Sequence, residues 1–161
     1  MIIEEIKYNM ELTEKITQAL GDKISQSDYY IEDMGCPHVQ PSLPKGYAAV
    51  YIFVYKTKVG ENISYEFLKI GKANENSNAR FASQHYGFSA QSTLAKSICS
   101  DKEFVSMGIN KDNVKSWMLS NLRRINIYIK ADRGRAATEL VEAIFHYKFR
   151  PRYEGNIGHN T

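Results

Sequence analysis

Residues 46–85 restrict the possible folds more than any other part of the chain. Two β-rich runs, residues 48–55 and 65–70, flank a segment carrying Gly60 and Asn62. Runs of β-branched and aromatic residues bounded by turn formers read as strands, and this pair reads as a hairpin with a long loop. Within the first run Val50, Ile52 and Val54 alternate with Tyr51, Phe53 and Tyr55. Successive strand residues face opposite sides, so large side chains on both faces require a sheet covered on both sides. An Asn and Ser cluster at residues 74–78 then caps a helix, which puts Arg80 about two turns beyond the strand end. Tyr51, Lys69 and Arg80 are thereby expected at one rim of a small sheet.

The remaining chain supplies helices and one more strand. Ile3, Ile6, Met10, Ile16 and Leu20 recur near the helical period, with Gly21 placed to stop the run. Three prolines in residues 28–45 argue for an extended surface arm. Residues 88–122 read as a helical insertion, with Asp112 as N-cap for Val114, Trp117, Met118 and Leu122. A third strand is expected at residues 125–129. A final helix over residues 136–149 carries Ala137, Leu140, Val141, Ile144 and Phe145 on its apolar side and stops before Pro151. At 161 residues and 43% hydrophobic content the chain suits one domain: arm and helix to residue 45, hairpin and helix to 87, insertion to 122, then strand, helix and tail. The expected class is α/β (α+β), with a mainly antiparallel three-stranded sheet flanked by helices.

The spacing of Ala49-Val50-Tyr51, then Lys69-Ile70-Gly71-Lys72-Ala73, then Arg80, resembles the GIY-YIG nuclease superfamily. Downstream, Glu142 to Pro151 and Tyr153 resemble that family's glutamate-bearing helix and the proline that closes it. Ala49 and Lys69 stand where the family's first glycine and second tyrosine usually stand. The resemblance implies a metal-dependent DNA endonuclease, restriction-type or mobile-element-like. It implies magnesium or manganese on Glu142, Tyr51 helping to deprotonate water, and Arg80 steadying the phosphate. Lys69 would favour the Tyr51 phenolate, and His85 is a further candidate. Glu139 shares a face with Glu142, but the separation from Pro151 selects Glu142. The family's late asparagine would fall at the displaced Asn156.

Phosphodiester hydrolysis requires an activated water and neutralisation of charge on the phosphoryl and leaving oxygens, which suits these residue types. Lys72, Arg123, Arg124, Arg150 and Arg152 are expected to contact DNA phosphates, and the insertion and N-terminal arm to read sequence. A net charge of +3 permits a nucleic-acid partner without requiring one. A binding module without chemistry and an RNA-cutting nuclease are the rival readings, and a homodimer is compatible with each. Cys36 and Cys99 suggest no disulfide framework, and Cys36-Pro37-His38 lacks partners at ligand spacing among His85, His146 and His159. With neither a secretory signal nor a membrane-spanning stretch, a reducing cytoplasmic compartment is expected.

Overall fold

The computed structural model describes residues 1–154 and shows a mixed α+β fold built on one antiparallel sheet. Its strands are β1 (Tyr29–Gly35), β2 (Tyr47–Val59), β3 (Asn62–Ala73) and β4 (Leu122–Lys130), in the spatial order β1-β4-β2-β3. The sheet therefore has four strands rather than three. β1 falls inside the segment expected to be an arm; the prolines stand beyond Gly35, and five residues before it pair with β4 from Tyr29↔Ile129 to Asp33↔Ile125. The hairpin is also longer and tighter than expected. Val59 pairs with Asn62, which leaves a loop of only Gly60 and Glu61, and Gly60 adopts the positive φ such a turn needs.

Helix α1 (Ile2–Ala19) and helix α6 (Arg135–Phe149) cover one face. Val50, Ile52, Val54, Ile70, Ile125, Ile127 and Ile129 meet Ile2, Ile6, Met10, Val141 and Phe145 there in a dry core. The buried stripe of α1 is rotated from expectation, to Ile2, Ile6, Asn9, Met10, Thr13 and Thr17, while Leu20 is exposed. Thr13 and Thr17 tolerate burial because their hydroxyls donate to the carbonyls of Asn9 and Thr13 one turn back.

The opposite face is covered by α2 (Asn78–Ala82), α3 (Leu94–Ser100), α4 (Lys102–Ser106) and α5 (Val114–Asn121). Asn113, not Asp112, precedes α5. These helices and the short turn Gln84–Tyr86 pack Phe81, Tyr86, Leu94, Ile98, Phe104, Val114 and Met118 onto Tyr51, Phe53 and Tyr128. The segment between β1 and β2 lies across this side rather than free on the surface. His38 is buried, its N–H donates to the Leu119 carbonyl, and the Leu43 N–H donates to Asn78 Oδ1.

β3 is an outer strand with a register shift between Phe53 and Val54 of its partner, which leaves Leu68 outside the ladder. Its outward edge is nonetheless occupied. Arg152 N–H donates to the Phe67 carbonyl (2.8 Å), Tyr153 N–H to the Leu68 carbonyl (2.9 Å), and His146 Nε2 to the Ile70 carbonyl (3.0 Å). No helix among the described residues is long and apolar enough to cross a membrane.

Candidate active site

Strand parity decides which side chains can meet. Tyr51 pairs with Gly71 on one side and Asn126 on the other, and Phe53 pairs with Lys69 and Arg124. Directly opposed residues share a face, as do residues two apart, so Tyr51, Lys69, Gly71, Arg124 and Asn126 all point toward α2–α5. The Tyr51 ring lies flat over Gly71: a Cβ there would stand 2.5 Å from Tyr51 Oη, a separation real atoms do not adopt. Glycine is required at this position by the phenol above it.

The Tyr51 side chain is fully buried, and its Oη lies 2.6 Å from His85 Nε2. The Leu94 backbone N–H points at His85 Nδ1 at 3.2 Å. A backbone N–H can only donate, so Nδ1 is the acceptor and the ring proton sits on Nε2, which donates to Tyr51 Oη. Burial, then the charges of Lys69, Arg80 and Arg124, depress the imidazole to a pKa of about 3. His85 is thus a neutral hydrogen-bond donor to the phenol at any ordinary pH.

Four further charges act on this pair. Burial raises the Tyr51 pKa, and Arg80, by charge and hydrogen bonding, and then Arg124 oppose that rise; Glu142 adds to it. Lys69 is buried, and its pKa is lowered by that burial and by Arg80, with Glu142 pulling the other way. The cations that oppose the rise in the Tyr51 pKa are Arg80 and Arg124, while the charge of Lys69 acts on His85. Arg80 is exposed on α2. Glu142 comes from α6 on the other side of the sheet, and the charges of Arg80 and Glu142 both reach Tyr51 and Lys69.

Glu142 is part-exposed, with Oε2 at 3.6 Å from Lys72 Nζ and Oε1 at 3.8 Å from His146 Nε2. Since His146 gives that proton to Ile70, it is at most a distant partner of the carboxylate. Lys72 binds Glu139 more closely, at 3.0 Å. Among the described residues no three His, Cys, Asp or Glu side chains form a ready-made metal cage. A single accessible carboxylate does fit magnesium or manganese, since magnesium keeps most of its waters and adds substrate oxygens. Glu142 would hold such an ion if Lys72 turned fully onto Glu139.

Tyr51, Lys69, Arg80, His85 and Glu142 thus lie close enough for their charges to act around the buried phenol and Lys69, with Lys72 beside Glu142. The other expected phosphate ligands are dispersed. Arg123 forms a two-pronged ion pair with Asp33, and Arg150 caps α6 in the left-handed region with its guanidinium over Tyr147. Arg152 is clamped by Asp101 and Glu103, each at 2.8 Å, and by Glu66 at 3.3 Å, so its charge is already neutralised. Arg124 is a correction: its side chain has no exposed surface and cannot touch a phosphate. Asn156 and His159 lie outside the described residues. Sequence reasoning missed Asn126, Tyr86 and His38, which bond in a buried chain behind the phenol. His38 Nε2 lies 2.7 Å from Tyr86 Oη, and its Nδ1 donates to the Leu122 carbonyl. Compared with known proteins, the chain is matched by no family model, no curated protein and no solved structure.

Proposed function

We propose that the chain is a metal-dependent endonuclease that hydrolyses DNA phosphodiester bonds, of the restriction-type kind, with Tyr51, Arg80 and Glu142 as its reactive groups. One observation carries this reading: a buried phenol receives a hydrogen bond from a neutral histidine while two guanidinium groups and a carboxylate act on it from three other elements. A packing tyrosine does not need that company.

In this reading Tyr51 accepts the proton of the attacking water once substrate draws Arg80 off the buried phenol and admits that water. Its raised pKa leaves little phenolate at neutral pH, but the fraction formed is a strong base, and the His85 N–H···O bond strengthens as charge appears on the oxygen. Arg80, exposed on α2 beside the phenol, forks onto two phosphoryl oxygens as lysine could not. A divalent ion held by Glu142 supplies charge neutralisation at the phosphoryl and leaving oxygens. The free thiols Cys36 and Cys99 suit a reducing, cytoplasmic setting. Cutting both strands with one such rim per chain is served by a homodimer.

Supercoiled plasmid and a folded RNA, incubated with magnesium or manganese, test the reading. DNA is expected to be cut, and Tyr51→Phe, Arg80→Ala and Glu142→Ala each to lower the rate about a hundredfold or more with circular dichroism unchanged. Retention of DNA without cutting in either ion supports the binding module, and faster cutting of RNA supports the RNA-cleaving reading. Near-normal turnover by Tyr51→Phe removes the phenol from the mechanism. The wild-type rate is also expected to climb about tenfold per pH unit through neutrality and beyond pH 9, because the base must be unprotonated and its pKa is raised.

A further inference from the structure

Arg124 is a guanidinium with no exposed surface, and each of its hydrogen bonds ends on a neutral oxygen. Nε donates to Asn126 Oδ1 (3.0 Å), Nη1 to Tyr86 Oη (2.9 Å) and Nη2 to the Phe81 carbonyl (2.6 Å). Its central carbon lies 4.6 to 5.7 Å from the ring centres of Phe81, Phe53, Tyr51 and Tyr86. Anionic compensation arrives one step removed: Asn126 Nδ2 donates to Glu32 Oε1 at 3.0 Å, and Tyr128 Oη donates to the same oxygen at 2.8 Å. Burying a cation without a direct carboxylate is costly, and a purely structural need would be met more cheaply by an apolar side chain of similar volume.

The destinations of the three bonds suggest what the cost secures. Phe81 follows Arg80 on α2, a helix of five residues too short to hold itself. Tyr86 follows His85, which bonds the phenol. Asn126 stands opposite Tyr51 on β4. We infer that Arg124 is a positioning residue, a three-way buried clamp that fixes Arg80, His85 and Tyr51 relative to one another. This rests on the reading of Tyr51 and Arg80 as reactive groups; the clamp itself is a statement about geometry and can be tested without catalysis.

The experiment pairs Arg124→Lys, which keeps the charge but cannot make a three-way fork, with Arg124→Met, which keeps the length and drops the charge. In steady-state plasmid cleavage, Arg124→Lys is expected to lower kcat at least tenfold while KM for DNA stays within twofold, since a buried side chain touches no DNA. A risen KM with unchanged kcat would make it a phosphate ligand and overturn the clamp. In amide hydrogen exchange on the same variant, residues 78–86 are expected to lose at least tenfold protection while residues 2–19 of α1 keep theirs. Unchanged or uniformly lowered protection overturns the proposal. If Arg124→Met fails to fold, the lysine variant alone carries the decision. Wild-type protein that cuts nothing, combined with the localised exchange change, would sink the nuclease reading and leave the clamp standing.

Discussion

The two faces of the sheet are made by the same strands and obey opposite rules. Toward α1 and α6, β2 presents Val50, Ile52 and Val54, and β4 presents Ile125, Ile127 and Ile129, with every side chain buried and apolar. Toward α2–α5 the intervening positions present Tyr51 and Phe53, and Arg124, Asn126 and Tyr128. One face is packed for stability. The other buries a lysine, an arginine, an asparagine and two histidines, groups whose burial is unfavourable unless each finds a partner. A fold that could have been apolar on both sides but is not has committed one side to a task other than cohesion.

Three perturbations sharpen that contrast. The largest effect is expected from acid on the polar face. His85 is neutral in the fold with a pKa of about 3, against an ordinary 6.5, so the unfolded chain takes up the proton first as pH falls. The stability tied to His85 is complete above about pH 6.5 and is lost progressively toward pH 3, up to about 4 to 5 kcal/mol. His38, also depressed by burial, works in the same direction, as do the lowered carboxyls of Asp33, Asp101 and Glu139. Urea unfolding at pH 7 and pH 4.5 therefore compares wild type with His85→Gln. The gap between the two is expected to shrink by about 3 kcal/mol at the lower pH, and a pH-independent gap would mean that His85 is not held neutral.

Next in size is Ile127→Ala on the dry face, expected to cost about 3 kcal/mol by leaving a cavity. Cleavage per folded molecule should not change; a loss of activity there would show that the two faces are not independent. The smallest stability effect, about 1 to 2 kcal/mol, is expected from Gly71→Ala, where the new methyl collides with the phenol and pushes the ring aside. Its activity should nevertheless fall at least tenfold, read in the plasmid assay. Stability lost without activity at Ile127, and activity lost with little stability at Gly71, is the pattern the comparison requires.

Much of this architecture was legible in the sequence because hydrophobic period is a strong signal. The alternation in β2 showed a sheet covered on both sides, and the stop at Gly21 and the break before Pro151 bounded α1 and α6 closely. β1 escaped because its seven residues run directly into a proline-rich segment, whose composition dominated the reading. The convergence of Tyr51, Lys69, Arg80, His85 and Glu142 depended on a family resemblance rather than on periodicity, since residues far apart in the chain leave no local mark of contact. Arg124 was readable and misread. Once Ile125, Ile127 and Ile129 are placed on one face, strand parity sends Arg124 and Asn126 to the other, which β2 had already shown to be covered. Adjacent arginines suggested solvent, and Arg123 alone behaves that way, reaching Asp33 at the surface. The electrostatic roles were not legible at all, because which cation acts on Tyr51 depends on distances through the core.

Outer strands invite unwanted pairing, because a row of unsatisfied amides and carbonyls is a template for any extended chain that drifts by. Along β3 the carbonyls of Phe67, Leu68 and Ile70 are already taken by Arg152, Tyr153 and His146. Concentrated protein is thereby hindered from stacking into ribbons through this stretch of border, and two copies that extend the sheet would have to meet at β1, the other outer strand.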